Sequence, residues 1–210
     1  MLDYTDYFIA ILIVLVAGLL YWGMYICFTK LLRRERDGIK DPVFLAAWIH
    51  LFLVEGKRER AIQECRKMID DINYCAGPRL RVLDSVACIP IFWDHPEMVA
   101  IAMEAMDKAM ENEPNSITLM GTKGSLLIED GKLDEGVHLL KEVQRQSKSE
   151  NDLAISSYYV AYAAFKRGDT RIAKELLREA KEKYPKCIVA SRIEEKITVN
   201  DLPTEHGLLD

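Results

Sequence analysis

The chain has 210 residues, half of them hydrophobic and 29% charged, with a net charge of −5 at pH 7. That length holds one domain and an accessory segment, and the acidic balance argues against a nucleic-acid binder, which needs a basic stripe to neutralise phosphates. β-Branched runs with strict alternation are missing, so the expected class is all-α.

Residues 1–6 carry only acidic charge and are expected to form a short non-cytoplasmic N-terminus. From Tyr7 to Thr29 no residue is charged. About 20 apolar residues suffice to cross a bilayer as a helix, so 7–29 is read as a single transmembrane helix. Tyr7 at one end and Tyr21, Trp22 and Tyr25 at the other stand where interfacial aromatics would. A signal peptide fits less well, because the leading residues are acidic and no A-x-A site follows. The 30–41 linker is basic, with Lys30, Arg33, Arg34 and Arg36 as a cluster suited to a membrane surface. Positive residues after the span and none before it place the remainder in the cytoplasm, so the expected localisation is a single-pass membrane protein with a cytoplasmic domain. Cys27 at that edge is either an acylation site or a packed thiol. Gly18 and Gly23 do not form the GxxxG dimer pattern.

Asp41 is a good N-cap and Pro42 a good first helical residue, so a helical domain is expected over 42–197, followed by a flexible tail at 198–210 that could also dock on a partner. Internal repeats organise that domain. Gly56, Gly131 and Gly168 each follow a helical segment, with a small residue five positions on (Ala61, Gly136, Ala173) and an apolar one four further (Cys65, Leu140, Leu177). A fourth unit turns at Asp94-His95-Pro96 and keeps Ala102, Met106, Ala109 and Pro114 at the same offsets.

This pattern resembles the tetratricopeptide repeat family, a 34-residue helix–turn–helix array. Units are expected at 42–75, 83–116, 117–150 and 154–187, with 188–197 as a capping helix. The last unit matches best, through Ala161, Ala173, Leu177, Ala180 and Pro185. The third carries Gly124, Gly136 and Leu140, but Val143 and Lys148 at the final two places. In the second, Pro90 stands where a small helical residue belongs, so its first helix is expected to kink there or start after it. The first keeps Ala61 but departs at Ile49, Met68 and Asn73. The full expectation is therefore an all-α chain, with one transmembrane helix and a TPR-like α-solenoid of about four units plus a cap.

No Gly-rich phosphate loop, HExxH, GxSxG or CxxC is present, the histidines are scattered, and no ligand spacing suits a metal. No catalytic residue, cofactor or small-molecule substrate is expected, and the chain is not read as an enzyme. The five cysteines, Cys27, Cys65, Cys75, Cys88 and Cys187, read as core thiols in a reducing compartment. The family resemblance instead implies a concave groove lined by first helices. Its register points Ile155, Tyr158, Tyr162, Phe165 and Lys166 inward from the fourth unit and Thr118, Gly121, Ser125 and Ile128 from the third. The second contributes Asp84, Ala87, Ile91 and Asp94, and the first Val43, Ala46, His50 and Leu53. Ile155, Tyr158, Tyr162, Phe165, Lys166, His50, Ile91 and Asp94 are the candidate partner-binding residues. The aromatic wall of Tyr158, Tyr162 and Phe165 either faces an open groove or lies under the capping helix or the tail. Ala46, His50, Cys88, Thr118 and Thr122 occupy the places where carboxylate-clamp members of the family carry lysine, asparagine and arginine, so no chaperone-tail clamp is implied. The expected function is a membrane-anchored scaffold or adaptor that binds a membrane-associated protein partner and helps assemble a membrane complex. The alternative is a permanent accessory subunit of such a complex.

Overall fold

The computed structural model describes residues 41–199, with the side chain of residue 199 left aside, and every regular element among them is helical. The chain forms α1 (Pro42–Val54), α2 (Arg58–Asp70), α3 (Arg79–Ala87), α4 (Ile89–Trp93), a 3₁₀ turn (Pro96–Met98), α5 (Val99–Asn112), α6 (Ile117–Glu129), α7 (Leu133–Gln146), α8 (Glu150–Lys166), α9 (Thr170–Lys183) and α10 (Ala190–Val199).

The expected transmembrane part of the architecture is corrected. Among the described residues no helix is long and apolar enough to cross a membrane. The 7–29 stretch, the basic cluster Lys30, Arg33, Arg34 and Arg36, and Cys27 all lie outside those residues, as does the tail from 200 onward.

Three helix–turn–helix joints are the same object built three times. Gly56, Gly131 and Gly168 take φ of +72°, +86° and +87°, a backbone region that disfavours a side chain. In each, the residue after glycine donates its N–H five residues back: Lys57 to Phe52 O at 2.7 Å, Lys132 to Leu127 O at 2.8 Å, Asp169 to Ala164 O at 3.0 Å. The glycine N–H bonds three residues back, to Leu53, Ile128 and Phe165. This double bond satisfies the last carbonyls of the first helix and aims the chain back along it. The recurring glycines therefore fix α1–α2, α6–α7 and α8–α9 as hairpins.

The second unit departs from the expected bounds and shape. Its first helix begins at Arg79 rather than 83, and it comes in two pieces, α3 and α4, separated at Cys88. Pro90 cannot donate a backbone N–H, but it sits in the first turn of α4, where that donor would be orphaned anyway. Asp94 ends α4 in the left-handed conformation, φ 55° and ψ 55°, so that the turn of this unit uses an aspartate with positive φ where the others use a glycine. Aspartate tolerates this region better than most side chains. The fourth unit also starts earlier than expected, at Glu150, because the Ser149 hydroxyl accepts the Asp152 N–H at 3.3 Å and caps α8. The capping helix runs from Ala190 rather than 188.

The core lies along the inner seams of successive helices. Ile49, Cys65, Met68, Val86, Met106, Leu126, Ile128, Leu140, Tyr158, Ile193 and Ile197 are fully buried or nearly so. Small residues set the spacing where helices cross: Ala61, Ala102, Ala161 and Ala173 are all at 0% exposure. At the α6–α7 crossing glycines take this role. A Cβ added to Gly136 would stand 2.7 Å from the Gly124 carbonyl oxygen, and one added to Gly124 would stand 2.8 Å from Leu140 Cδ2.

Candidate interaction groove

The first helices of the second, third and fourth units, α3–α4, α6 and α8, share one face and enclose a pocket of about 90 Å³ between them. Ile91 and Phe92 from α4 and Ile155 from α8 form its apolar walls. Gly121, Ser125 and Ser156 make a floor without bulk. The Ser125 and Ser156 hydroxyls are turned back on their own helices, donating to Gly121 O and Leu153 O at 3.0 Å each. Two carboxylates face the pocket from opposite sides, Asp84 on α3 and Asp152 on α8. The Thr122 hydroxyl donates to Asp84 Oδ1 at 3.1 Å, and Thr118, one turn earlier on α6, donates to Asp152 Oδ2 at 3.3 Å.

Burial lifts the Asp84 carboxyl above its ordinary value, the Thr122 hydrogen bond opposes that, and the nearby Asp152 charge pushes the same way as burial. Burial also raises the Cys88 thiol well above its usual range, and the Asp84 charge adds to it. A thiol whose pKa is raised this way is a poor nucleophile. Cys65 is likewise pushed up to about 12 by burial.

Beside this pocket the last helix crosses back over the face. Arg192 on α10 donates to Glu129 Oε1 at 2.9 Å, to Asp94 Oδ1 at 3.1 Å and to the Tyr159 hydroxyl. Tyr159 in turn donates to Glu129 Oε1 at 2.8 Å. Lys196, one turn on, pairs with Asp94 and lies 5.3 Å above the Tyr162 ring. Partial burial would raise the Asp94 carboxyl, but the Lys196 and Arg192 cations outweigh it and hold it below the ordinary value. The Arg192–Glu129 pair is buried on both sides, with side-chain exposures of 11% and 6%. It ties α10 to α6, and Asp94 extends the tie to the α4 turn.

The sequence-derived groove residues therefore separate into groups. Ile91 and Ile155 line the pocket, together with Thr118, Gly121, Ser125 and Asp84. Tyr158 is fully buried, its hydroxyl donating to Tyr184 O at 3.3 Å, and Tyr162 is 6% exposed beneath Lys196. Of the two arrangements open to that aromatic wall, the structure has the one in which the cap covers these tyrosines. Phe165 is half-buried. Lys166 is exposed but spends its ammonium on the end of α6, donating to Ile128 O at 2.7 Å and Glu129 O at 3.1 Å. Asp94 is held by the cap. His50 sits apart, stacked 5.1 Å from Trp93 and sharing a 2.9 Å hydrogen bond between its Nδ1 and His95 Nε2. Ile128, Ala87 and Ala46 are core residues and not groove residues.

The charged participants Asp152, Glu129, Arg192 and Lys196, and with them Phe92, Ser156 and Tyr159, carry no sequence signal of the repeat register. Arg192 and Lys196 stand four apart on the cap, a spacing that puts both cations on one helical face, and that is the signal that was available. Their partners lie from 33 to 102 residues away, where no local pattern reaches. Among the described residues no group of histidine, cysteine and carboxylate side chains could hold a metal ion. Comparison with known families, curated proteins and solved structures gives no match for this chain.

Proposed function

We propose that residues 42–199 form a tetratricopeptide-like interaction scaffold whose groove, on the shared face of α3–α4, α6 and α8, binds a segment of a partner protein. The observation that carries this reading is the pocket itself. It is concave and walled by Ile91, Phe92 and Ile155, and polar groups converge on it from three helices. The three identical glycine joints support the repeat assignment, because they place first helices side by side and so create a continuous face. The chemistry of the groove supports binding over turnover, since the pKa of its lining thiol, Cys88, is raised and its hydroxyls are committed to carboxylates or to their own helices.

A random dodecapeptide display library panned on the full-length chain tests the reading. Selected peptides are expected to lose at least tenfold in affinity to Thr118→Trp, which fills the pocket from an exposed position. If every selected peptide binds this variant as well as the parent, the groove is not the docking site.

A further inference from the structure

On this face, carboxylates are treated in two ways. Asp94 and Glu129 are neutralised from within the chain by Arg192 and Lys196. Asp84 and Asp152 are not: no cation lines their pocket, and neither has an ion-pair partner among the described residues. Each receives its side-chain donors on a single oxygen. Asp84 Oδ1 takes Thr122 and the weak Cys88 contact, and Asp152 Oδ2 takes Thr118 and Ser147, the latter at 3.0 Å. The second oxygen of each carboxylate receives no hydrogen bond from the described residues.

Two partly desolvated acids facing one pocket repel each other, and a fold tolerates that at a cost to stability. A single ligand group carrying one delocalised positive charge and several fixed donors would relieve it. The pocket adds a shape requirement. Its walls are the aliphatic Ile91 and Ile155 and the Phe92 ring, which suit an apolar stem ending in a charge. A guanidinium presents five N–H donors in a rigid planar fork, which spreads its charge and its donors more widely than the point charge of an ammonium and so suits carboxylates on opposite walls of one pocket.

Resting on the groove reading above, we propose that this pocket receives an arginine side chain of the partner protein, its stem against Ile91, Phe92 and Ile155 and its guanidinium between Asp84 and Asp152. The charge selects against acidic segments, the opposite preference to a carboxylate clamp. Specificity comes from the pocket, and the remainder of the groove supplies contact area.

The same library decides the point. Peptides that compete at the groove, identified by their loss of binding to Thr118→Trp, are expected to share one arginine position. Replacing that arginine with citrulline, which keeps the shape and removes the charge, should weaken binding at least tenfold on the unaltered protein. Asp84→Asn and Asp152→Asn should each bring the arginine and citrulline peptides to within about twofold of one another, a readout that a general loss of folding would not produce. Groove peptides with no basic position, with a shared lysine instead, or with equal affinity for the citrulline form would overturn the arginine assignment and leave the groove reading standing. Recovery of peptides only outside the groove would overturn both.

Discussion

Gly136→Ala isolates the effect of the α6–α7 crossing. The new Cβ would lie 2.7 Å from the Gly124 carbonyl oxygen, 2.7 Å from Ile128 Cγ1 and 3.2 Å from the Ile128 nitrogen. Ordinary contact begins at 3.4 Å, so the nearest atoms must retreat by about 0.7 Å. Two of the three are backbone, and Ile128 is fully buried, so no free side-chain end can yield. Alanine gains about 1 kcal/mol over glycine inside a helix, while forced expansion of a packed contact costs about 1–3 kcal/mol. A backbone clash belongs near the top of that range, giving a net loss of about 2 kcal/mol. Urea unfolding followed by far-ultraviolet circular dichroism should show the midpoint falling by about 1 M at unchanged slope. Gly121→Ala is the control, because its Cβ would meet Val143 at 3.8 Å, an ordinary contact, and it should not destabilise. A Gly136→Ala protein as stable as the parent would show that the crossing distance is not set by these glycines.

Further outcomes follow from the same contacts. Arg192→Met should cost about 3–5 kcal/mol by stranding the buried Glu129 carboxylate, and Glu129→Gln in the same chain should restore much of that in a double-mutant cycle; two additive losses would refute the pair. Burial raises the Asp84 pKa, so the ionised carboxylate opposes folding above that pKa and the penalty fades on acidification. Asp84→Asn should therefore raise the melting temperature at pH 7, with the gap to the parent narrowing as pH falls toward 4; a lowered melting temperature at pH 7 would contradict this. Burial and the neighbouring His95 lower the His50 pKa, so the folded state binds the proton less readily than the unfolded chain. Stability from this group is present above about pH 6.5 and should be lost as pH falls below it. His50→Gln should show a shallower loss of melting temperature between pH 7.5 and 5.5, and an unchanged slope would exclude His50 as its source.

Much of the helical domain is legible along the chain because its determinants are local. Gly56, Gly131 and Gly168 mark three turns through backbone conformation alone, and Ala61, Gly136 and Ala173 follow at the spacing where helices must approach. Boundaries were less legible. Arg79 rather than residue 83 opens the second unit, because Pro90 sits in the first turn of α4 and the helix before it survives as α3. The apolar run at 7–29 is plain as composition, yet among the described residues no helix can cross a membrane.

The site divides along the same line. Asp84, Ile91, Thr118, Gly121, Ser125 and Ile155 follow from repeat register, and they do line the pocket. Tyr158 and Tyr162 have the same register, but Arg192 and Lys196 bring the last helix over that wall and onto Asp94, nearly 100 residues earlier. Local spacing determines which face a side chain occupies. Whether that face stays open depends on contacts between distant segments, the ion pairs to Asp94 and Glu129 together with the apolar burial of Ile193 and Ile197, which exist only once the chain has folded, and only the tertiary structure decides it.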